Sequence, residues 1–390
     1  MKFDPAVETA RYIDSLGPEA LAKAAAYTSG SHWMLLWGLV VTAIVTWIIV
    51  RWGILDGVAA RLEKRGWALR TWLIAVTYFI VSAVLTLPWM LYADYFREKS
   101  YGRSSQPLPD FLMQGGIGIS LSSLLGGLFF LGIYALIRRA GKRWWLWSGG
   151  LAAFAISATL LLAPILIEPI FNDYKPVPEG AVRTELLKMA DEAGIPHDRL
   201  LMFDGSRQSN NFTANVSGVF GSARIAISDV AMKEASLDEV KAVTGHEVGH
   251  YVEGHIWRLV AVFVALAMLG FFLADRLFGR VAALFGSKAE VGDPQGLPIL
   301  LFVVSVIALL AQPVLNSFTR IGESDADAYS LRTVGLPDAL SGALVKTAEY
   351  RHPRPSALEE IAFYSHPSVE RRVRRAMEWK AAQMKKAEAR

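Results

Sequence analysis

Hydrophobic positions in this chain gather into six long, nearly uncharged runs, at 33–50, 72–93, 111–137, 144–167, 256–274 and 297–318. A helix needs about 20 mostly apolar residues to cross a bilayer core, and each run is of that order. The pattern therefore predicts six transmembrane helices, the fifth carrying Arg258 near its start. Between the fourth and fifth runs lies a polar region, and a second polar stretch follows the sixth. The chain divides into 1–171, an N-terminal segment with four spans; 172–255, the polar region; 256–319, two spans; and 320–390, a tail. Because two crossings return the chain to its starting face, the polar region and the tail lie on the same side and can build one site.

Within the polar region the period changes. Residues 181–193 have helical spacing, while 200–203 and 224–228 read as short strands flanked by Gly205, Gly218 and Gly221. Ser236-Leu237-Asp238-Glu239 has the form of a capping box and predicts a helix start running into the segment beyond residue 241. The tail reads as helical from Pro337 and ends in the charged, alanine-rich stretch 371–390, whose plain reading is a solvated helix.

Composition narrows the class. The 390 residues are 53% hydrophobic and 19% charged, too apolar for an ordinary soluble protein and too evenly charged for a disordered one. Trp33, Trp72, Trp89, Trp144, Trp145 and Trp257 fall near span ends, where an indole buries its ring and still hydrogen-bonds at the headgroups. A net charge of +4 and no basic run with interleaved aromatics argue against nucleic-acid binding. The first thirty residues lack the basic start and short apolar core of a removable signal peptide. With no cysteine, thiolate metal sites and disulfides are excluded, so any metal is held by histidine and carboxylate.

Such a set is present. His246-Glu247-Val248-Gly249-His250 places two imidazoles four residues apart, on one face of a helix, where both can bind one Zn²⁺. Glu247 then lies beside the open position, placed to take a proton from water that zinc makes acidic. The pentapeptide alone is also compatible with a solvated helix carrying no metal. Glu323, just past the sixth span, is the best candidate third ligand. Asp327, one turn later, is placed to accept the free ring N–H of a ligating histidine. On a continuous helix His255 faces roughly 140° away from His250 and stays outside the ligand set.

These motifs resemble the type I CAAX prenyl proteases, integral-membrane zinc metalloproteases, as a shorter bacterial-type member. The family pattern H-E-x-x-H-W/Y-x-x-x-H is matched from His246 through Tyr251 to His255, and R-x-x-E-x-x-A-D by Arg320, Glu323, Ala326 and Asp327. Leu87-Pro88-Trp89-Met90-Leu91-Tyr92, Glu168-Pro169-Ile170-Phe171-Asn172 and Pro176-Val177-Pro178-Glu179-Gly180 are similar to further family segments. Ser365-His366-Pro367 with Arg372 resembles S-H-P-x-x-x-x-R, which implies that His366 and Arg372 steady substrate or oxyanion. The family's Asn-Ala-Tyr corresponds to Thr213-Ala214-Asn215, so the group contacting substrate is Asn211, Thr213 or Asn215. The resemblance implies a mainly α fold: a polytopic α-helical membrane protein with a small α+β zincin-like catalytic region, an intramembrane chamber and one Zn²⁺ per chain.

The implied activity is endoproteolysis of a peptide or protein substrate, prenylated or membrane-associated, with the bilayer as surroundings and no obligatory protein partner. Two rivals stand beside it: a quality-control metalloprotease without prenyl specificity, and a transporter or scaffold with a structural metal. The bacterial cytoplasmic membrane is the expected location. Arg61, Lys64 and Arg65, with Arg138, Arg139, Lys142 and Arg143, lie opposite the catalytic side, and positive-inside counting makes their face cytoplasmic. The family orientation instead puts the site in the cytosol, and is the one expected here.

Overall fold

The computed structural model of the protein describes residues 3–218 and 223–389; Gly221 lies outside the described residues. Among the described residues, five helical runs are long and apolar enough to cross a membrane: Gly17–Arg51, Trp67–Ser100, Leu108–Phe171, His255–Phe285 and Pro294–Thr333. The count differs from the six expected spans because 111–137 and 144–167 fall in one run. A tight turn at Gly141–Arg143, with Gly141 at φ 53°, divides that run into Leu108–Ala140 and Trp144–Leu162, which pack against each other. The outward faces of the bundle expose Trp37, Ile44, Leu128, Phe154 and Leu310, the surface that lipid would cover. Its interior buries Ile49, Ile74, Ile133, Trp144, Ile299 and Leu300.

Helices overrun the hydrophobic runs that predict them. The last continues from Leu297 to Thr333 without a break, so its apolar half sits among the spans while its polar end carries Glu323 and Asp327 outward. Helix continuity, rather than a loop, thus fixes both carboxylates relative to the bundle.

The polar region folds as expected in part and adds to it. The helix Ala181–Ala193 forms, and the strands Leu200–Phe203 (here β2) and Arg224–Ser228 (β4) pair in parallel. Two further strands complete the sheet, β1 (Tyr174–Pro176) and β3 (Ala214–Ser217), giving the order β1-β2-β4-β3. Strand β4 is buried along its length, and Leu186, Ala190, Leu200, Ile225 and Ile227 form the core beneath the sheet. Glu168, at the end of the fourth predicted span, pairs with the buried Arg224 and accepts a 2.8 Å hydrogen bond from Tyr174. That pairing ties the sheet to the membrane bundle.

The capping box is real: Ser236 Oγ accepts from the Glu239 amide at 3.3 Å, and the Glu239 carboxylate accepts from the Ser236 amide at 2.8 Å. It opens the helix Leu237–Val252. The tail is three helices, Pro337–Lys346, Ala357–Phe363 and Val369–Glu388. The last packs on Pro5–Asp14, so the two ends of the chain share a core around Ile13, Val373 and Met377.

Candidate active site

Two helices meet at the site because glycine lets them. The helix Leu237–Val252 lies against Leu297–Thr333. A Cβ at Gly245 would fall 2.5 Å from Val334 Cγ2, and one at Gly249 3.0 Å from Tyr329 Cβ. Any side chain at either position would hold the helices apart, and with them the two halves of the metal-ligating set. These glycines frame the histidines, a role that spacing along one helix does not reveal.

With the helices in contact, His246 Nε2 and His250 Nε2 stand 3.1 Å apart. Glu323 places Oε2 3.2 Å from the first and Oε1 3.3 Å from the second. An ion with tetrahedral ligands at about 2.0–2.1 Å spaces those ligands about 3.3 Å apart, so the three groups fit one ion. Glu323 Oε2 is buried without a hydrogen-bond partner. The electrostatics agree. Glu247, Glu323 and Asp327 all face the buried Arg372, and the His246 ring is drawn up to about 9. Burial works to lower it, and the hydrogen bonds to Asp327 and Glu323 prevail. A cation at this point supplies the positive charge that these carboxylates otherwise draw from imidazole protons.

Behind the histidines, Asp327 Oδ1 lies 2.9 Å from His246 Nδ1. Asp327 is in turn gripped by Arg372, whose Nε and Nη2 donate to it at 2.7 and 2.6 Å. Arg372 is therefore engaged first with Asp327, while it also lines the cavity in front of the metal-ligating set. Burial pushes the Glu247 carboxyl up from its ordinary value. His366 Nε2 stands 3.2 Å from Glu323 Oε1, its Nδ1 2.9 Å from Ser365 Oγ, and burial pushes its ring down to about 3. Arg320 holds the chain just before it, donating to the carbonyls of Glu360 and Tyr364 at 2.8 and 2.5 Å. The same long helix thus carries Glu323 and anchors His366.

His246, Glu247, His250, Glu323, His366 and Arg372 open on a cavity of about 600 Å³, which Asn211 and Thr213 also line. Asn215 is not among its lining residues; it sits on β3 opposite Ala226, with its side-chain Oδ1 buried. The segment before β3 is tied to the loop after the second span, Asn210 donating from its amide to the Arg103 carbonyl at 2.9 Å. Strand β3 is the edge of the sheet beside the motif helix. His255 departs from expectation: its Nδ1 is 2.9 Å from His250 Nδ1. The projection of 140° assumed one unbroken helix, whereas the chain turns at Gly254, with φ 66°, and starts a new helix at His255. A second cavity of about 750 Å³, mostly apolar, lies among the spans near Gly38, Gly270 and Asn316.

Membrane-length helices and a largely buried two-histidine, one-glutamate set beside a glutamate define a membrane metallopeptidase. Comparison with known proteins gives the family. Residues 176–380 match peptidase family M48, and residues 8–173 match the family described as CAAX prenyl protease N-terminal, five membrane helices. The chain belongs to peptidase family M48. It is 26% identical over 381 residues to an uncharacterized metalloprotease, YhfN, of Bacillus subtilis (strain 168), covering 92% of this chain and 86% of that one. It is 30% identical over 305 residues to a CAAX prenyl protease 1 homolog of Oryza sativa subsp. japonica, covering 75% and 70%. The fold is similar to a crystal structure of Ste24p from S. mikatae, with a TM-score of 0.78 at 19% identity over 96% of this chain and 95% of that one. The protein is an integral-membrane metalloendopeptidase with a catalytic metal and peptide or protein substrates.

Proposed function

We propose that the metal is one Zn²⁺ per chain, held by His246, His250 and Glu323, and that the enzyme cleaves extended polypeptide segments. The observation that carries this reading is the convergence of the three ligating groups, the two Nε2 atoms 3.1 Å apart and each 3.2 to 3.3 Å from one oxygen of Glu323, with Glu247 on the same cavity. Zinc, when bound, supplies Lewis-acid polarisation of the scissile carbonyl and acidifies water. Glu247 takes a proton from the attacking water as its oxygen adds to the carbonyl carbon, then delivers it to the amine as the C–N bond breaks. His366 stabilises charge on the carbonyl oxygen, and Asn211 and Thr213 orient the peptide. Asp327, backed by Arg372, fixes the tautomer of His246. An extended segment pairs along the free edge of β3, which keeps the backbone straight past the metal.

Three protein ligands leave one position open, which supports catalysis over a closed structural metal. The large apolar cavity among the spans favours a second reading, in which a prenyl group or other lipid on the substrate is accommodated; the relative from rice bears the CAAX prenyl protease name. The location proposed is the bacterial cytoplasmic membrane, with the site facing the cytosol. The test is cleavage of a farnesylated CAAX peptide, its unprenylated twin and an unfolded protein by purified enzyme. Cleavage of all three supports the extended-segment reading, and cleavage of the first alone the prenyl-dependent one. No cleavage by zinc-loaded protein contradicts both.

A further inference from the structure

His255 is a buried histidine that the proteolytic mechanism does not use, and it is 8% exposed. It is the first residue of the helix His255–Phe285, placed by the turn at Gly254, and its ring lies on Gly322, where a Cβ would stand 3.5 Å from ring Cγ and Nδ1. Gly322 immediately precedes Glu323. The membrane helix His255–Phe285, the motif helix and the helix bearing the third ligand therefore converge on one imidazole.

The polarity of its contacts follows from the metal-ligating set. His250 presents Nε2 to His246 and Glu323, so its own proton resides on Nδ1. Two ring nitrogens 2.9 Å apart form a hydrogen bond only if one carries a proton and the other does not. His255 Nδ1 is then the acceptor, and the His255 proton sits on Nε2. That nitrogen has no hydrogen-bond partner among the described residues and faces two carboxylates, with Glu253 Oε2 at 3.5 Å and Asp325 Oδ2 at 3.7 Å. A second ion among Glu253, His255 and Asp325 would need the Nε2 lone pair that this arrangement removes. Each carboxylate also already faces an arginine, Arg332 with Glu253 at 2.9 Å and Arg258 with Asp325 at 3.2 Å.

We propose that His255 is the positioning residue of His250: its Nδ1 accepts a hydrogen bond from the Nδ1–H of that ligand, its ring is oriented by Glu253 and Asp325, and it so couples the start of a membrane helix to the metal. This rests on the zinc reading of the site. It gives the two histidines different supports, a carboxylate for His246 and a neutral imidazole for His250.

The test measures zinc affinity by competition with a chromogenic chelator, on full-length protein in detergent, with melting temperature recorded beside it. His255→Phe keeps a ring but loses the acceptor, and its zinc affinity falls about 10–100-fold. His255→Gln, whose amide oxygen accepts and whose NH₂ donates, restores affinity to within about threefold of wild type. Glu253→Gln with Asp325→Asn, both at less buried positions, weakens zinc about 3–10-fold. Wild-type affinity in His255→Phe, loss in His255→Gln equal to that in His255→Phe, an unchanged double variant, or a second zinc abolished by His255→Phe would each overturn the proposal. Wild-type protein that binds no zinc would instead overturn the metal reading on which it stands.

Discussion

At the scale of single residues the site is held by buried pairs whose members depend on one another. Asp327 lies 2.9 Å from His246 Nδ1 and is gripped twice by Arg372, so removing the arginine leaves a carboxylate buried without its counter-charge. Breaking such a pair costs about 3–5 kcal/mol; Arg372→Ala is expected to lower the melting temperature well before any effect on chemistry is considered. Asp327→Asn keeps the shape and weakens the charge, and is expected to reduce zinc affinity about 10–100-fold in a chelator competition. Helical spacing pairs His246 with His250 and, separately, Glu323 with Asp327, and the parity of the spans puts both pairs on one face; that much was legible in the sequence. The closeness of His255 to His250 was not, since it depends on a backbone turn at Gly254 that interrupts the spacing arithmetic.

At the scale of elements the spans were legible because uncharged runs of bilayer length have few other meanings, and the motif helix because Ser236 and Glu239 cap it. The two edge strands were not. Strand β1 is three residues ending at Pro176, and β3, Ala-Asn-Val-Ser, is half-buried at every position, so neither shows an alternating pattern. The glycine contact between the motif helix and Leu297–Thr333 is likewise invisible until the partner helix is known. It makes a sharp prediction. Gly245→Val drives a side chain into Val334 and is expected to cost about 1–3 kcal/mol in stability. Zinc affinity falls with it, because Glu323 moves away from the histidines; a melting curve and a chelator competition read both.

At the scale of the whole molecule, the five membrane-length runs carry the polar region and the tail on one side, and the unbroken helix Leu297–Thr333 transmits position from bundle to site. Sidedness is testable without removing any native thiol, because the sequence has no cysteine. With the site in the cytosol, Lys64→Cys is labelled by a membrane-impermeant maleimide in intact cells and Ser356→Cys only after lysis; the reverse pattern would place the site outside. The central claim is zinc-dependent endoproteolysis with Glu247 as base. Its most direct measurement pairs zinc content with peptide cleavage in wild type and Glu247→Gln. The account predicts one zinc per chain in both and turnover about 10²–10⁴-fold lower in the variant. Wild-type turnover in Glu247→Gln, or cleavage that survives complete removal of the metal, would contradict it.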